Sequence, residues 1–172
     1  MASKLSAITD LGIKAPFAKD DKVLYLGASH GVTALLISEM VGENGFLFCV
    51  EISKDSMKEL LPLCEEHSNM APLLYDAGMP ELYQDKICSV DVIYQDIAQR
   101  NQSEILKQNA DLFLKKGGYV VFIVKTQSID AVKEPSKVLS KLKKNLLWLE
   151  IEHVLDLDKT HAKHYVIIGR KK

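Results

Sequence analysis

Short apolar runs alternate along the chain with longer segments in which apolar residues recur every three or four positions. The short runs are typical of buried strands, and the periodic segments are typical of amphipathic helices. The predicted strands cover residues 22–27, 45–52, 71–77, 89–96, 119–126, 146–157 and 163–172. The predicted helices cover residues 32–42, 53–67, 102–118 and 128–144.

Residues that start, stop or bend helices stand at several of these boundaries. Gly42 is the expected C-cap of the first helix, and Ser53 is the expected N-cap of the second. The third helix is expected to close on the Lys-Lys-Gly-Gly stretch at residues 115–118, which offers a cationic end and a glycine stop. Pro62 is expected to kink the second helix, and Pro135 to make the fourth irregular.

The order of the elements predicts the fold, because strands that alternate with helices form a parallel sheet covered on both faces. Residues 119–126 are continuously apolar, which favours a central strand. The last two strands are linked by residues 158–162, too short for a parallel crossover, so they should form an antiparallel hairpin. We therefore predict an α/β, doubly wound, Rossmann-like sheet at residues 22–172, mostly parallel, after a lead-in segment at residues 1–21.

The amino-acid composition limits the classes of protein to which this chain can belong. The chain has 172 residues, enough for one core, with 47% hydrophobic and 26% charged residues, as in ordinary globular proteins. No apolar run is long enough to span a membrane, and residues 1–12 lack the apolar core of a signal peptide. A net charge of −1 does not attract nucleic acid by itself, so an RNA-directed activity would need affinity from another component. Three scattered cysteines favour free thiols in a reducing compartment.

The turn after the first strand reads Gly-Ala-Ser-His-Gly at residues 27–31. Its G-x-x-x-G spacing differs from the dinucleotide fingerprint and is closer to the glycine loop of S-adenosylmethionine-dependent methyltransferases. Glu51 ends the second strand, where an acid can accept hydrogen bonds from ribose hydroxyls, and Asp76 follows the third, where it could accept from an adenine amino group. The structural alternatives are a solvated strand end for Glu51 and an Asx turn for Asp76.

Longer stretches resemble fibrillarin and its archaeal fibrillarin-like homologues, the RNA ribose 2′-O-methyltransferases of box C/D guide complexes. The similarity covers nearly the whole chain in order, and includes the unusual tetrapeptide Asp-Ile-Ala-Gln at residues 96–99. The matching stretches are residues 3–7, 22–31, 50–53, 75–80, 91–99, 109–125 and 163–170.

The resemblance implies a class I methyltransferase domain at residues 22–172 that uses S-adenosyl-L-methionine as its cofactor. It assigns the cofactor to residues of the glycine turn, of the ends of the second and third strands, and of the stretch after the fourth strand. These residues are Gly27, Ala28, Gly31, Val32, Thr33, Glu51, Ile52, Asp76, Ala77, Asp96, Ile97, Ala98 and Gln99.

The resemblance also places Lys4, Asp96 and Lys125 at the reactive centre, and it adds His164, at a characteristic position near the end of the chain, as a fourth candidate catalytic residue. A lysine beside an aspartate suits methyl transfer to a ribose hydroxyl, because a fixed cation favours the ionised oxygen. The structural alternatives are a snorkelling surface lysine for Lys125, a solvated terminal lysine for Lys4 and an ordinary strand residue for His164.

Two departures from the family pattern concern the cofactor and the partners. His30 replaces a serine and Val32 a threonine of the family's glycine loop, so a hydroxyl near the cofactor is lost and affinity is expected to change. The β-rich domain that the family carries before the Ser-Lys-Leu stretch is expected to be missing, because Lys4 stands close to Met1.

The partners implied by the resemblance are a Nop-domain scaffold protein and a box C/D guide RNA paired with target rRNA or tRNA. No membrane and no metal ion are expected, and the expected location is the cytoplasm for an archaeal protein and the nucleolus for a eukaryotic one. Two alternatives stay open: a stand-alone methyltransferase acting on a protein or small molecule, and an inactive cofactor-binding scaffold subunit.

Overall fold

The computed structural model describes residues 3–172 as one seven-stranded sheet with helices on both faces. The strands are β1 (Lys22–Leu26), β2 (Phe46–Glu51), β3 (Met70–Leu74), β4 (Val90–Gln95), β5 (Leu114–Lys125), β6 (Leu149–Asp156) and β7 (His164–Lys171). The helices are α1 (Lys4–Asp10), α2 (Val32–Val41), α3 (Lys54–Glu66), α4 (Gln102–Phe113), α5 (Thr126–Ile129) and α6 (Pro135–Lys143).

The strand order is β3-β2-β1-β4-β5-β7-β6. The first five strands in that order pair in parallel, whereas β7 pairs antiparallel with both β5 and β6. The predicted doubly wound, mostly parallel sheet with an antiparallel C-terminal hairpin is confirmed. The strand order reverses between β1 and β4, which is where doubly wound folds form a ligand crevice. No helix within residues 3–172 is long and apolar enough to cross a bilayer.

The sheet has a separate apolar layer on each face, because side chains alternate along a strand. On β5, Val121 and Ile123 face the layer formed with α1, α2 and α3, while Val120 and Phe122 face the layer formed with α4 and α6. All four side chains are fully buried. The prediction that residues 119–126 form a central, doubly covered strand is therefore confirmed.

The predicted helix at residues 102–118 is wrong in its last turn, because α4 ends at Phe113 and β5 begins at Leu114. Leu114 is buried and pairs with Val90, so burial in the sheet prevails over continued helical periodicity. The pairing of β5 with β4 shifts register between Leu114 and Tyr119, and Gly117 lies in this interval with a φ of +75°. A Cβ on Gly118 would lie 2.7 Å from the Leu114 Cδ1 atom. The two glycines thus shape an irregular strand entrance rather than a helix stop.

The predicted helix at residues 128–144 is two helices. Pro135 is the first residue of α6, a position where its missing N–H costs no hydrogen bond. The segment before it is held by Asp130, whose side chain accepts hydrogen bonds from the backbone N–H groups of Val132 and Lys133. The irregularity expected at Pro135 is therefore a complete break between α5 and α6.

Candidate active site

A cleft of about 330 Å³ lies where the carboxyl ends of β1, β2, β4 and β5 meet. Lys125, predicted to be catalytic, lines it. Ser29, Ser56 and Tyr75 also line it, and the sequence patterns singled out none of them. Eight of the thirteen predicted cofactor residues line the cleft: Gly27, Glu51, Ile52, Ala77, Asp96, Ile97, Ala98 and Gln99.

Glu51 ties two backbone segments together at the floor of this cleft. Its Oε2 accepts a hydrogen bond of 2.7 Å from the Ser29 N–H, and its Oε1 accepts one of 2.7 Å from the Ser53 N–H. The side chain is buried, so the alternative of a solvated strand end is wrong. Each carboxylate oxygen keeps a further acceptor site, because a carboxylate offers about four lone-pair positions. Glu51 can therefore fix the turn after β1 and accept hydrogen bonds from a ligand.

Glycine is required at both ends of the turn, but for different structural reasons. Gly27 has a φ of +83°, and a Cβ there would lie 2.7 Å from the Asp96 carbonyl oxygen, so only glycine lets β1 end against β4. Gly31 has a φ of +89°, and its Cβ would lie 2.6 Å from the Leu63 Cδ1 atom. Gly27 thus shapes the cleft, whereas Gly31 brings α3 close to the start of α2 and does not line the cleft.

The remaining predicted cofactor residues lie around the cleft without lining it. Ala28 is buried beneath the turn, while Val32 and Thr33 begin α2, with the Val32 side chain 66% exposed. Asp76 accepts a hydrogen bond of 2.8 Å from the Gly78 N–H at its Oδ1, which is the Asx turn of the structural alternative. Gln99 Nε2 lies 3.5 Å from the same oxygen. Within residues 3–172, Asp76 Oδ2 has no hydrogen-bond partner, so that oxygen can still accept a ligand donor.

Asp96 stands between two lysines at one end of the cleft. Lys4 Nζ lies 2.7 Å from Asp96 Oδ2, and Lys125 Nζ lies 2.7 Å from Oδ1 while it donates a hydrogen bond of 3.1 Å to the Asp96 carbonyl oxygen. The three side chains are 13–19% exposed, so neither lysine is the solvated surface residue of the structural alternatives. The structure therefore brings Lys4, Asp96 and Lys125 into one cluster, which we call the reaction cluster.

The reaction cluster carries a net positive charge. Burial alone would raise the pKa of Asp96, but the ammonium groups of Lys125 and Lys4 outweigh burial and hold that pKa below its ordinary value. The carboxylate is thus ionised at neutral pH and balances one of the two cations. A surplus of one positive charge remains beside the cleft, where it can stabilise an oxygen that becomes negative.

Lys4 reaches the cluster because α1 is anchored to the core. Ser3 caps the helix by accepting a hydrogen bond of 3.0 Å from the Ser6 N–H. Leu5 and Ile8 are fully buried in the apolar layer shared with α2 and α3. Helix α1 is therefore packed against the core, and it delivers the Lys4 side chain to Asp96.

His164 lies beside the cluster in the sheet without joining it. It is paired with Lys125 in the antiparallel register of β5 and β7. Its Nδ1 lies 2.7 Å from the Ala162 carbonyl oxygen, which must accept a hydrogen bond from that nitrogen. Within residues 3–172, the ring makes no hydrogen bond or ion pair with the reaction cluster. His164 is thus placed next to Lys125 by register, and its ring is held by its own hairpin.

Gln102 is a buried residue of the site that the sequence pattern did not reveal. Its Oε1 accepts a hydrogen bond of 3.1 Å from the Lys125 N–H. Its Nε2 donates to the Gln99 carbonyl at 2.9 Å and to the Lys125 carbonyl at 3.3 Å. Gln95 in turn donates to the Gln102 carbonyl at 2.7 Å. Gln102 therefore links the cleft segment ending at Gln99 to the backbone of Lys125.

Comparison with known proteins identifies similar chains. The sequence model of the family described as fibrillarin matches residues 1–172. A protein of Methanopyrus kandleri named fibrillarin-like rRNA/tRNA 2′-O-methyltransferase is 42% identical over 170 residues, which is 97% of this chain and 73% of that relative. A protein of Pyrococcus abyssi with the same name is 40% identical over 98% of this chain and 75% of its own length. The chain thus spans about three quarters of these relatives.

Solved structures with the same fold agree with the sequence comparison. A structure described as a fibrillarin/Nop5p complex superposes with a TM-score of 0.95 at 41% identity, over 99% of this chain and 81% of that one. Aeropyrum pernix fibrillarin with natively bound S-adenosyl-L-methionine has a TM-score of 0.88 at 37% identity, over 96% of this chain and 74% of that one. The names of these relatives, and the S-adenosyl-L-methionine bound in one of them, are relevant to the chemistry of the cleft and of the reaction cluster.

Proposed function

We propose that this chain, which belongs to the fibrillarin family, is an S-adenosylmethionine-dependent RNA ribose 2′-O-methyltransferase. The observation that carries this function is the reaction cluster of Lys4, Asp96 and Lys125 at the end of the cleft. A surplus positive charge on largely buried side chains suits a reaction in which an alcohol oxygen becomes negative.

The cleft fits the cofactor chemically. Gly27 lines the cleft where β1 ends against β4, and the Glu51 carboxylate offers acceptors for two neighbouring ribose hydroxyls. Asp76 Oδ2 is a further acceptor that suits an adenine amino group. S-adenosylmethionine, when bound, supplies a methyl group on a sulfonium leaving group. An A. pernix relative contains this molecule in its solved structure.

The reaction cluster then prepares the RNA hydroxyl. Lys125 and Lys4 would favour and orient the ionised 2′-oxygen, because developing negative charge is attracted to fixed ammonium groups. The hydroxyl proton would pass to solvent water, since an ammonium group cannot accept it. Asp96 is a weak base, since its pKa is held below the ordinary value, so we infer that its task is to hold the two ammonium groups. Removal of either lysine would leave the cluster with no surplus positive charge.

We further propose that the protein works as the catalytic subunit of a box C/D guide ribonucleoprotein on rRNA or tRNA. A structure of a relative is described as a complex of fibrillarin with Nop5p, which supports a Nop-domain scaffold as partner. The net charge of −1 fits a division of labour in which a scaffold and a base-paired guide supply RNA affinity. Three free cysteines support a reducing location, the cytoplasm for an archaeal protein and the nucleolus for a eukaryotic one.

Reconstitution tests the function. The protein is assembled with a Nop-domain scaffold, a box C/D guide RNA and a complementary target strand, and site-specific ribose methylation is mapped. Lys125→Met should lower the single-turnover rate about 10²-fold or more at saturating cofactor and RNA, the usual effect of one lost electrostatic donor. Lys116→Met is the matched control, because Lys116 is an exposed lysine on the same strand.

The outcome separates this function from its alternatives. Methyl transfer to a protein or small molecule, with none to guide-paired RNA, would contradict the proposed substrate. Cofactor binding without transfer in any assembly would instead identify an inactive scaffold subunit.

A further inference from the structure

A second concavity, of about 460 Å³, adjoins the cleft between the start of α4 and the α5–α6 segment. We call it the basic groove, because four cationic side chains line it and only two carboxylates do. The cations are Arg100, Lys133, Lys137 and Lys141, and the carboxylates are Glu104 and Asp130. This local excess of positive charge contrasts with the net charge of −1 of the whole chain.

The basic groove continues from the cleft along two chain segments. Gln99 lines the cleft, and Arg100, the next residue, lines the groove. Lys125 lines the cleft, and Ile129 at the end of the single-turn helix α5 lines the groove. The nucleotides beside a ribose that reacts at Lys125 would therefore lie near the groove.

Most of the groove's positive charge is not neutralised within the chain. Lys133 is paired with Asp130 at 2.6 Å. Arg100, Lys137 and Lys141 make no side-chain hydrogen bond or ion pair within residues 3–172. Lys137 and Lys141 are one helical turn apart on α6, a spacing at which like charges repel and destabilise the helix. A bound anion would convert that repulsion into attraction.

The groove also presents neutral hydrogen-bond donors over an apolar base. Val138 and Leu142 are buried and hold α6 against the core. Asn145 and Ser103 also line the groove, where Asn145 Nδ2 donates a long hydrogen bond of 3.5 Å to Ser103 Oγ and the Ser103 hydroxyl donates one of 3.3 Å to Glu104 Oε2. Asn101 precedes α4 without a side-chain capping bond, which leaves the first N–H groups of the helix for another acceptor.

We propose that the basic groove binds backbone phosphates of the target RNA strand next to the ribose that is methylated. This inference rests on the proposed function, because it takes the reacting ribose to lie at Lys125. Cations with neutral donors between them, and no base-sized aromatic side chain in the wall, suit phosphates rather than bases. Such binding would be independent of sequence, as it must be when base pairing with a guide selects the target.

The test compares two double variants in the complex with scaffold and guide RNA. Lys137→Ala with Lys141→Ala removes two groove cations, and Lys116→Ala with Lys143→Ala removes two exposed lysines that do not line the groove. Binding of a fluorescent target strand is measured over a salt series, separately from methyl transfer. The groove variant should raise the apparent Kd at least about tenfold near physiological salt and reduce the salt slope by about 1.4–1.8, since each lost phosphate contact contributes about 0.7 on a single strand and about 0.9 on a duplex.

Three outcomes would contradict either the proposed groove or the proposed reaction. Equal Kd values and salt slopes for the two double variants would overturn the groove. Failure of the groove variant alone to bind the scaffold protein would also overturn it, because the surface would then be a protein contact. If groove-dependent RNA binding is observed but the parental protein methylates no guide-paired RNA, the groove is an RNA-binding surface, whereas the proposed reaction and the place of the reacting ribose are wrong.

Discussion

Replacement of Gln102 by leucine should lower both the stability of the protein and its methylation rate, more than the position of Gln102 at the start of a helix suggests. The side chain is fully buried and bonds to three backbone groups, the N–H and C=O of Lys125 and the C=O of Gln99. Leucine has a similar size but neither donates nor accepts. Gln102→Leu therefore leaves three polar groups without their partner while changing little in packing volume.

The magnitude follows from the geometry of the three bonds. Two are of normal length at 2.9 and 3.1 Å, and the third is long at 3.3 Å. At about 1 kcal/mol net for each good bond and less for the long one, the free energy of unfolding should fall by about 2–3 kcal/mol. A domain with a stability of about 5–15 kcal/mol stays folded after such a loss. The variant can therefore be assayed for both stability and activity.

Urea unfolding compares Gln102→Leu with Gln108→Leu, which makes the same change at an exposed position of α4. The single-turnover methylation rate of the folded variant should also fall, by about 10-fold or more, because a small displacement of Lys125 misaligns the reacting oxygen. Cofactor affinity is measured alongside, since Gln102 also holds the Gln99 carbonyl. Equal stability and equal rate for the two variants would refute the assignment of Gln102.

Three further predictions concern the same site. The stability difference between the parental protein and Asp96→Asn should shrink in urea titrations below about pH 4, because a depressed folded-state pKa gives stability that is lost as pH falls. Glu51→Gln should weaken cofactor binding by about 1–2 kcal/mol in calorimetry, since one carboxylate oxygen becomes a donor amide; unchanged affinity would exclude Glu51 from the cofactor site. Gly31→Ala should lower the free energy of unfolding more than Gly12→Ala does, because both glycines have positive φ but only a side chain at Gly31 would also clash with Leu63. Equal losses of stability would mean that backbone strain alone sets the cost.

The sheet could be predicted because the sequence patterns that indicate strands and helices recur along the whole chain. Each strand has its own apolar run, and each crossover has its own helical period, so errors at one boundary leave the topology intact. The helix boundary near Leu114 was wrong for a non-local reason. At Leu114 the pairing with Val90 decides the conformation, and that partner lies 24 positions earlier, beyond the reach of a sequence window.

The site could be predicted in part. Glu51 was found because it ends a strand, and the strand ends of a doubly wound sheet converge on one edge, whereas Lys125 was assigned through the family resemblance. Asp96 and Lys4 needed the family resemblance, since nothing local indicates that a lysine in the lead-in segment will reach a carboxylate in the middle of the sheet. Gln102 left no signal, because a buried amide serving the backbone looks like any polar residue in the first turn of a helix.

The ion pair between Lys4 and Asp96 has a consequence for the order of events during synthesis. The two residues are 92 positions apart, and β5, which supplies Lys125, also needs β7 near the end of the chain as its other neighbour. A nascent chain on the ribosome therefore carries Lys4 in water long before Asp96 and Lys125 can receive it. Contacts of such long range form late, because loop closure must be completed before they contribute. Catalytic competence should thus appear in one step with the finished fold, because an incomplete chain holds no assembled reaction cluster.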